Sequence, residues 1–598
     1  MVKRRLKLNA VILKKAIVVV SVLMLSSASL VIAVSPAQAT GSPRKILTGW
    51  IPYYGMKTAL PSAIANGDLI KEVMPFWYTL KSEKLITDLY SPANPSVPMA
   101  IPLASMHDSG FTIIPTITDG TDKMVLANLI ANPTTRTQTV ATITNLVMTN
   151  NFDGIDLDFE GFAFVDANTT WTTTQPNWVA FVQELSTALH SRNKLLSITT
   201  PVLFDPTSGK KGYYLYDWAS ISSMIDRLRI MTYDFSTTTP GPIGPITWAE
   251  QSLQYAVKVV AASKVYLGVA GYGRDWVTKV IGICPEQYIK AISPTAKAAT
   301  FVMRDATSLI TSYGAQPLYV DANAEVTFSY DKVYSGLNSS GLATSCTASR
   351  VAWYQDSRSY AARAALVAKY HIGGITAWTL GMEDTTATDA LRQVAQSIAP
   401  DQVVSTLSVE PVVDQNGIAF GTPVTVKGEL RLADKTPVAG LAVRLESKAP
   451  GETTWRELLK TATDASGVLS AQLLVGSTSS LRISTEGTWD KSASQSPEVN
   501  ISLNRRISIT APTSVSAGSK FSITGIVQPH QAGVGVLLER FSKGGWVTTG
   551  QPFVTDQSGG FNIEGIEKSR GLLRLRVSVV SDSKFSAIKS PIFSIVVR

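Results

Sequence analysis

Between residues 45 and 400 the chain alternates short apolar, β-branched runs with longer stretches in which apolar residues recur every three or four positions. The runs are ILTGWIPYY (46–54), EVMPFWYTL (72–80), FTIIPTIT (111–118), GIDLDFE (154–160), LLSITTPV (195–202), RLRIMTYDF (227–235), KVYLGVAGYG (264–273) and GGITAWTL (373–380). Helical periodicity fills gaps between them, as in WVAFVQELSTALHSRN (178–193) and SYAARAALVAKYH (359–371). Strand–helix alternation repeated eight times predicts an α/β chain forming a (β/α)8 barrel over residues 40–400. About a hundred residues separate the seventh and eighth runs, which places a small α+β insertion at about 277–350.

Beyond Pro400 helical periodicity ends and Val, Thr, Ser and Gly alternate, as in half-buried strands. GTPVTVKG (421–428) returns as GSKFSITG (518–525), VRLESK (443–448) as LLERFSK (537–543), and Trp455 with TDASG (463–467) as Trp546 with TDQSG (555–559). The offset of 91 to 97 residues suits one β-sandwich, so two related modules are expected, 401–504 and 505–598. They resemble the immunoglobulin-like repeats of exported bacterial proteins, able to contact a wall polymer. Trp455 and Trp546 are expected in the sandwich cores.

Charge and cysteine usage refine this picture. Six lysines and arginines precede an apolar run at 16–34 and the small-x-small triplet Ala37-Gln38-Ala39, the pattern of a secretory signal peptide cleaved after Ala39. The run is also long enough to be an uncleaved anchor. Cleavage lowers the formal net charge from +9 to +3, too little for nucleic-acid binding, and no sustained basic patch stands out along the sequence. A secreted protein without membrane attachment after cleavage is expected. Cys284 and Cys346 form one disulfide or remain two buried thiols; a bridge would close a loop worth roughly 4 kcal/mol on the chain-entropy argument. The four histidines show no metal-ligand spacing, and neither a metal nor another cofactor is expected.

The chemistry concentrates in FDGIDLDFEG (152–161), with Asp153, Asp156, Asp158 and Glu160 inside eight residues. Burying carboxylates this close costs several kcal/mol each unless they are paired or protonated. In a strand Asp156, Asp158 and Glu160 share one face, about 7 Å apart in succession, and Ile155, Leu157 and Phe159 the other. That puts the acids on the barrel axis with Glu160 at the C-terminal end of the fourth strand, where barrels carry active sites. Asp153 has the opposite parity and a structural role. A calcium loop is the competing pattern, but its twelfth position would be Ala167 rather than a bidentate glutamate.

DGIDLDFE (153–160) matches the D-x-x-D-x-D-x-E signature of glycoside hydrolase family 18, the chitinase family. MTYDF (231–235) resembles that family's sixth strand, GGITAWTL (373–380) its eighth, and GVAGYGRDW (268–276) its seventh-strand region. Phe159 stands where the family more often has Trp or Tyr, and IIPTITDG (113–120) lacks the usual Ser-x-Gly-Gly. The resemblance implies a TIM barrel and substrate-assisted retaining hydrolysis at N-acetylglucosamine. It implies Glu160 as general acid then base, Asp158 orienting the acetamido nitrogen, Asp156 coupled to Asp158 and sharing its proton, and Tyr233 donating to the acetamido oxygen. It further implies substrate contacts from Asp234, Trp378, Met231 and Tyr272, with Trp378 as the pocket floor. Trp171, Trp218, Trp248 and Trp276 are candidate sugar-stacking rings near post-strand loops.

The implied partner is a polysaccharide. Chitin is the family's usual substrate, while residues 351–384 also resemble its spore-cortex and cell-wall branch, so peptidoglycan stays open, as does an N-glycan. A non-catalytic lectin on the same barrel and an adhesive wall protein are the competing classes, and both leave the retained acids without a role.

Overall fold

A computed structural model describes residues 42–598 except Pro294 and 412–416. The expected signal peptide, 1–39, lies outside the described residues. Eight parallel strands close a barrel: β1 (Leu47–Pro52), β2 (Ile70–Ser82), β3 (Thr116–Asp119), β4 (Gly154–Asp158), β5 (Leu195–Pro201), β6 (Arg227–Met231), β7 (Val265–Ala270) and β8 (Gly374–Trp378). Neighbours in sequence pair around the ring, and β1 pairs with both β8 and β2.

The run expected at 111–118 is broken into Thr112–Ile113 and β3. Pro115 between them has no N–H for the ladder, and its carbonyl accepts the Asp156 N–H at 2.8 Å. Ile155 and Leu157 of β4 point outward into one core with Trp178, Phe181, Val182, Leu185 and Leu189. The last five recur at helical spacing along the single face that helix Trp171–His190 buries.

The insertion is wider than 277–350: its antiparallel sheet starts at Tyr272, one residue beyond β7, and ends at Tyr354. In spatial order the strands are Ala299–Val302, Tyr272–Gly282, Ala343–Tyr354, Glu325–Leu337 and Leu318–Val320, accompanied by helix Ala306–Tyr313. Cys284 and Cys346 are joined as a disulfide near the far end of this sheet.

After the barrel come two units, each of facing antiparallel sheets around its own apolar core. The first is built on Val426, Leu430, Val443, Leu445, Leu481 and Ile483, the second on Ile523, Val536, Ile563, Leu575, Val577 and Ile595. The repeated tryptophans are in neither core. Trp455 is half-buried on an outer sheet face with Arg482 4.1 Å from its ring, and Trp546 has Arg576 at the same distance. Each guanidinium also pairs with a cross-strand glutamate, Glu446 or Glu539. A flat cation on the ring satisfies the aromatic face at the surface, so the position does not require a core.

Candidate active site

Parallel register sets Thr116 beside Asp156 and Asp156 beside Ser197 inside the barrel. Asp156 therefore accepts from Thr116 Oγ1 (2.9 Å), Ser197 Oγ (2.6 Å) and Thr199 Oγ1 (3.0 Å). Below it, fully buried Arg229 donates to Ser197 Oγ, Thr48 Oγ1 and Glu72 Oε2 at 3.0, 2.9 and 2.7 Å, with its Nε 3.9 Å from Asp156. Arg227 also pairs with Glu72. Like charges on one strand are thus tolerated because a cation and a ring of hydroxyls are threaded among them. Hydroxyls thus donate to both Asp156 oxygens.

Asp158 is one layer nearer the mouth. Its Oδ1 is buried without a hydrogen-bond partner among the described residues. Burial, then the charges of Glu160 and Asp156, push its carboxyl well above the usual range. Glu160 is not the last residue of β4: the strand ends at Asp158, and Glu160 has helical backbone angles before the turn Gly161–Phe164. Strand parity foresees the direction but not the end of the ladder. Phe159 packs away from the cavity against Phe181, ring centroids 6.2 Å apart. Burial, then the charge of Asp234, raises Glu160 to about 7, and its carboxyl makes no hydrogen bond among the described residues. Asp153, outside the cavity, accepts the Ile113 N–H at 2.8 Å.

Asp158 and Glu160 open on a cavity of about 790 Å³ that Met231, Tyr233, Asp234 and Trp378 also line. Tyr233 directs a hydroxyl without a protein partner among the described residues, and Trp378 meets Trp50 and Phe76 edge-on at 5.6 and 4.9 Å. Tyr272 does not line the cavity. It is buried behind Asp234 and donates to Asp234 Oδ1, which also accepts from Arg274 Nη2 at 2.6 Å. Asp234 sits at φ +59°, a left-handed position open to aspartate and asparagine. Asp234→Asn should keep that backbone while removing the charge that raises Glu160. The alkaline limb of kcat/KM is then expected to move to lower pH, and an unmoved or upward-shifted limb would contradict the assignment.

Of the four candidate stacking rings only Trp248 lines the cavity. Trp218 and Trp276 are buried, and the Trp171 indole donates to the Phe162 carbonyl at 2.8 Å. Trp50, Phe164, Thr199 and Tyr213 also line the cavity and were not foreseen, although Trp50 stands in the first apolar run. A support built by the insertion was equally hidden. Fully buried Glu325 accepts from the Ile243 and Gly244 N–H groups (2.6 and 2.9 Å), from Gln355 (3.0 Å) and from Arg363 (2.9 Å). Ile243 packs in one cluster with Tyr233, and a Cβ on Gly244 would lie 2.2 Å from the Thr232 carbonyl. The insertion therefore braces the backbone that carries Tyr233. Gln355 extends the brace to β7 by accepting the Ala270 N–H at 3.1 Å.

Known proteins similar to this chain include glycosylases and chitinases. The chain is 24% identical over 278 residues to an uncharacterized glycosylase of Bacillus subtilis, a match covering 46% of this chain and 70% of that protein. It is 27% identical over 248 residues to the cortical fragment-lytic enzyme of Bacillus anthracis, covering 40% of this chain and 50% of that protein. Among solved structures, a chitinase from Chromobacterium violaceum aligns with 58% of this chain and 98% of its own, at 23% identity and a TM-score of 0.47. The family model described as Glycosyl hydrolases family 18 matches residues 79–383, just over half of the chain, and spans both the acid strand and the Tyr233 loop. On that match and the site it encloses, the chain belongs to glycosyl hydrolase family 18.

Proposed function

We propose that the barrel hydrolyses β-1,4 bonds of an N-acetylglucosamine-containing polysaccharide, with the substrate's own acetamido oxygen as nucleophile. The observation that carries this is the state of the three cavity carboxyls. Burial and the charge of Asp234 raise Glu160 to about 7, Asp158 is buried with its carboxyl well above the ordinary range, and Asp234 is tied to Arg274 and Tyr272. A retaining hydrolase with an enzyme nucleophile needs a free ionised carboxylate about 5 Å across the bond from its acid. Asp234, held by two donors, is poorly suited to that task.

The reading runs as follows from this chain's residues. Glu160 protonates the leaving glycosidic oxygen as that C–O bond breaks. The acetamido oxygen bonds to the anomeric carbon, giving an oxazolinium ion. Asp158 accepts the acetamido N–H with its unpartnered oxygen, Tyr233 donates to the acetamido oxygen, and Trp378 with Met231 floors the sugar. Water then attacks the anomeric carbon as the acetamido oxygen–C1 bond breaks and the acetamido group is restored, and Glu160 takes a proton from that water.

Chitin is the substrate this reading takes first. Peptidoglycan is a second reading, favoured by the likeness to cortical fragment-lytic enzymes. Export, supported by the sequence of residues 1–39, and wall contact through the sandwich modules complete the proposal. The test is incubation of the full chain and its Glu160→Gln variant with chitin oligosaccharides and with peptidoglycan, products read by mass spectrometry. Cleavage of one polymer that the variant loses supports the reading and selects the substrate. Sugar binding without cleavage by either protein would replace it with a lectin.

A further inference from the structure

The last module differs in charge from everything before it. Residues 505–598 hold twelve lysines and arginines against five acids, whereas residues 40–504 hold 36 against 40. The fold gathers much of this excess at one end. The hairpin turn after Ser542 brings Lys543, the crossing between the two sheets brings Lys568 and Arg570, and the strand that begins at Lys520 starts beside Ile566. Gly571 pairs with Val597, so Arg598 ends at the same place, its carbonyl accepting the Ala517 N–H at 2.9 Å. All five cations are exposed, and none forms an ion pair among the described residues. The local acids among the described residues are Glu567, paired to Arg540, and Glu564 one turn of the pleat inward.

This end is also the free one. At the opposite end, around Asp582–Ser586, the module joins its neighbour: Phe585 is buried in the first sandwich's core, and Arg505 lies 4.3 Å over its ring. The first sandwich in turn reaches the barrel through Trp489, which stacks on His371 at 4.5 Å and under Arg44 at 3.9 Å. His371 and Arg44 precede β8 and β1, so this contact is on the barrel's N-terminal face, away from the Glu160 mouth. Among the described residues no other segment covers the cationic end.

We propose that this end is a docking surface for a linear polyol-phosphate polymer. Five cations without an ion pair among the described residues, three on two loops and two flanking strand ends, present spaced point charges, which suits a chain of phosphodiesters and needs no shaped pocket. Two observations set a polymer of this kind apart from a lipid surface and from a nucleic acid. The loop residues Ser516–Ser519, Lys543–Gly545 and Lys568–Gly571 carry no large apolar side chain to enter a bilayer, and the exposed Ile566 and Leu572 beside them belong to the strands that the last loop joins. The adjacent rings of Phe541 and Trp546 are capped by Arg574 (4.9 Å) and Arg576 (4.1 Å), leaving no open stacking platform for bases. The surface deepens the wall-contact part of the proposed function and is independent of the barrel's chemistry.

The test is binding of the full chain to a purified poly(glycerol phosphate), compared with neutral dextran, duplex DNA and vesicles containing anionic phospholipid. Polymer affinity should fall steeply between 50 and 200 mM salt. It should drop by roughly tenfold or more in a Lys543→Glu, Lys568→Glu, Arg570→Glu variant. A charge-matched control on the first sandwich, Lys435→Glu, Lys460→Glu, Arg456→Glu, should retain binding, and glycan cleavage should be the same in all three proteins. No binding by the wild type, equal loss in the control, or equal or tighter binding to DNA or vesicles would each overturn the proposal. Loss of cleavage with polymer binding intact would instead count against the reading of the barrel.

Discussion

Glu160→Gln is expected to lower turnover by about 10²–10⁴-fold, the range for removing a positioned general acid–base. Glutamine matches the carboxyl in size but can neither give a proton to the leaving oxygen nor take one from water. The pH dependence carries its own signature. The acid form of Glu160 is required, and burial with the Asp234 charge raises the group to about 7, so wild-type kcat/KM should fall as pH rises through about 7. The residual activity of the variant should lack that limb. Because Glu160 accepts no hydrogen bond from the protein among the described residues, the substitution removes no native hydrogen bond. Ionising a carboxyl raised to about 7 costs the fold stability, so the variant's unfolding midpoint at neutral and alkaline pH should equal or exceed the wild type's. A variant within tenfold of wild type, with the limb intact, would assign the acid elsewhere.

Arg229→Met should cost about 3–5 kcal/mol, as expected when one partner is taken from a buried ion pair. The side chain is fully buried and serves Glu72, Ser197 and Thr48 while standing next to Asp156, so methionine leaves two buried acids short of a cation. Burial alone would push Glu72 up, but Arg229 and Arg227 reverse this and hold it down to about 2. A depressed acid stabilises the fold above its unfolded value, and that stability is lost as pH falls towards the folded value. Wild-type stability should therefore drop from about pH 4.5 down to about pH 2, and the Arg229→Met variant should lose part of that slope. Urea unfolding of both proteins at pH 7 and pH 3 measures the effect. A cost below 1 kcal/mol at pH 7 would show that the acids do not depend on this cation.

The two experiments probe different levels of one column running up the barrel: Glu72, Arg229, Asp156, Asp158, Glu160. Its lower part keeps charges together at the price of polar burial, while at its upper end burial and the charge of Asp234 raise Glu160. Only the upper part was legible beforehand. Asp156, Asp158 and Glu160 are neighbours in sequence, and a two-residue period is enough to put them on one side. Glu72 and Arg229 are 157 positions apart, and no local pattern joins them.

The same division runs through the rest of the protein. Local periodicity by itself determined the strand–helix alternation, the barrel, the two repeated C-terminal units and the acid strand, because each depends on which side chains must be buried within about ten residues. Where a strand stops is decided by its neighbours, so Glu160 lies beyond the ladder and Pro115 splits the third run. Tertiary structure alone placed Tyr272 behind Asp234, braced the Tyr233 loop with Glu325 from the insertion, and moved Trp455 and Trp546 to the surface beneath arginines. It also built a cationic end from loops that, read along the chain, carry only scattered lysines and arginines. Burial pattern is a property of neighbours along the chain, whereas a charge's partner is a property of neighbours in space, and those are chosen by strand register and loop closure.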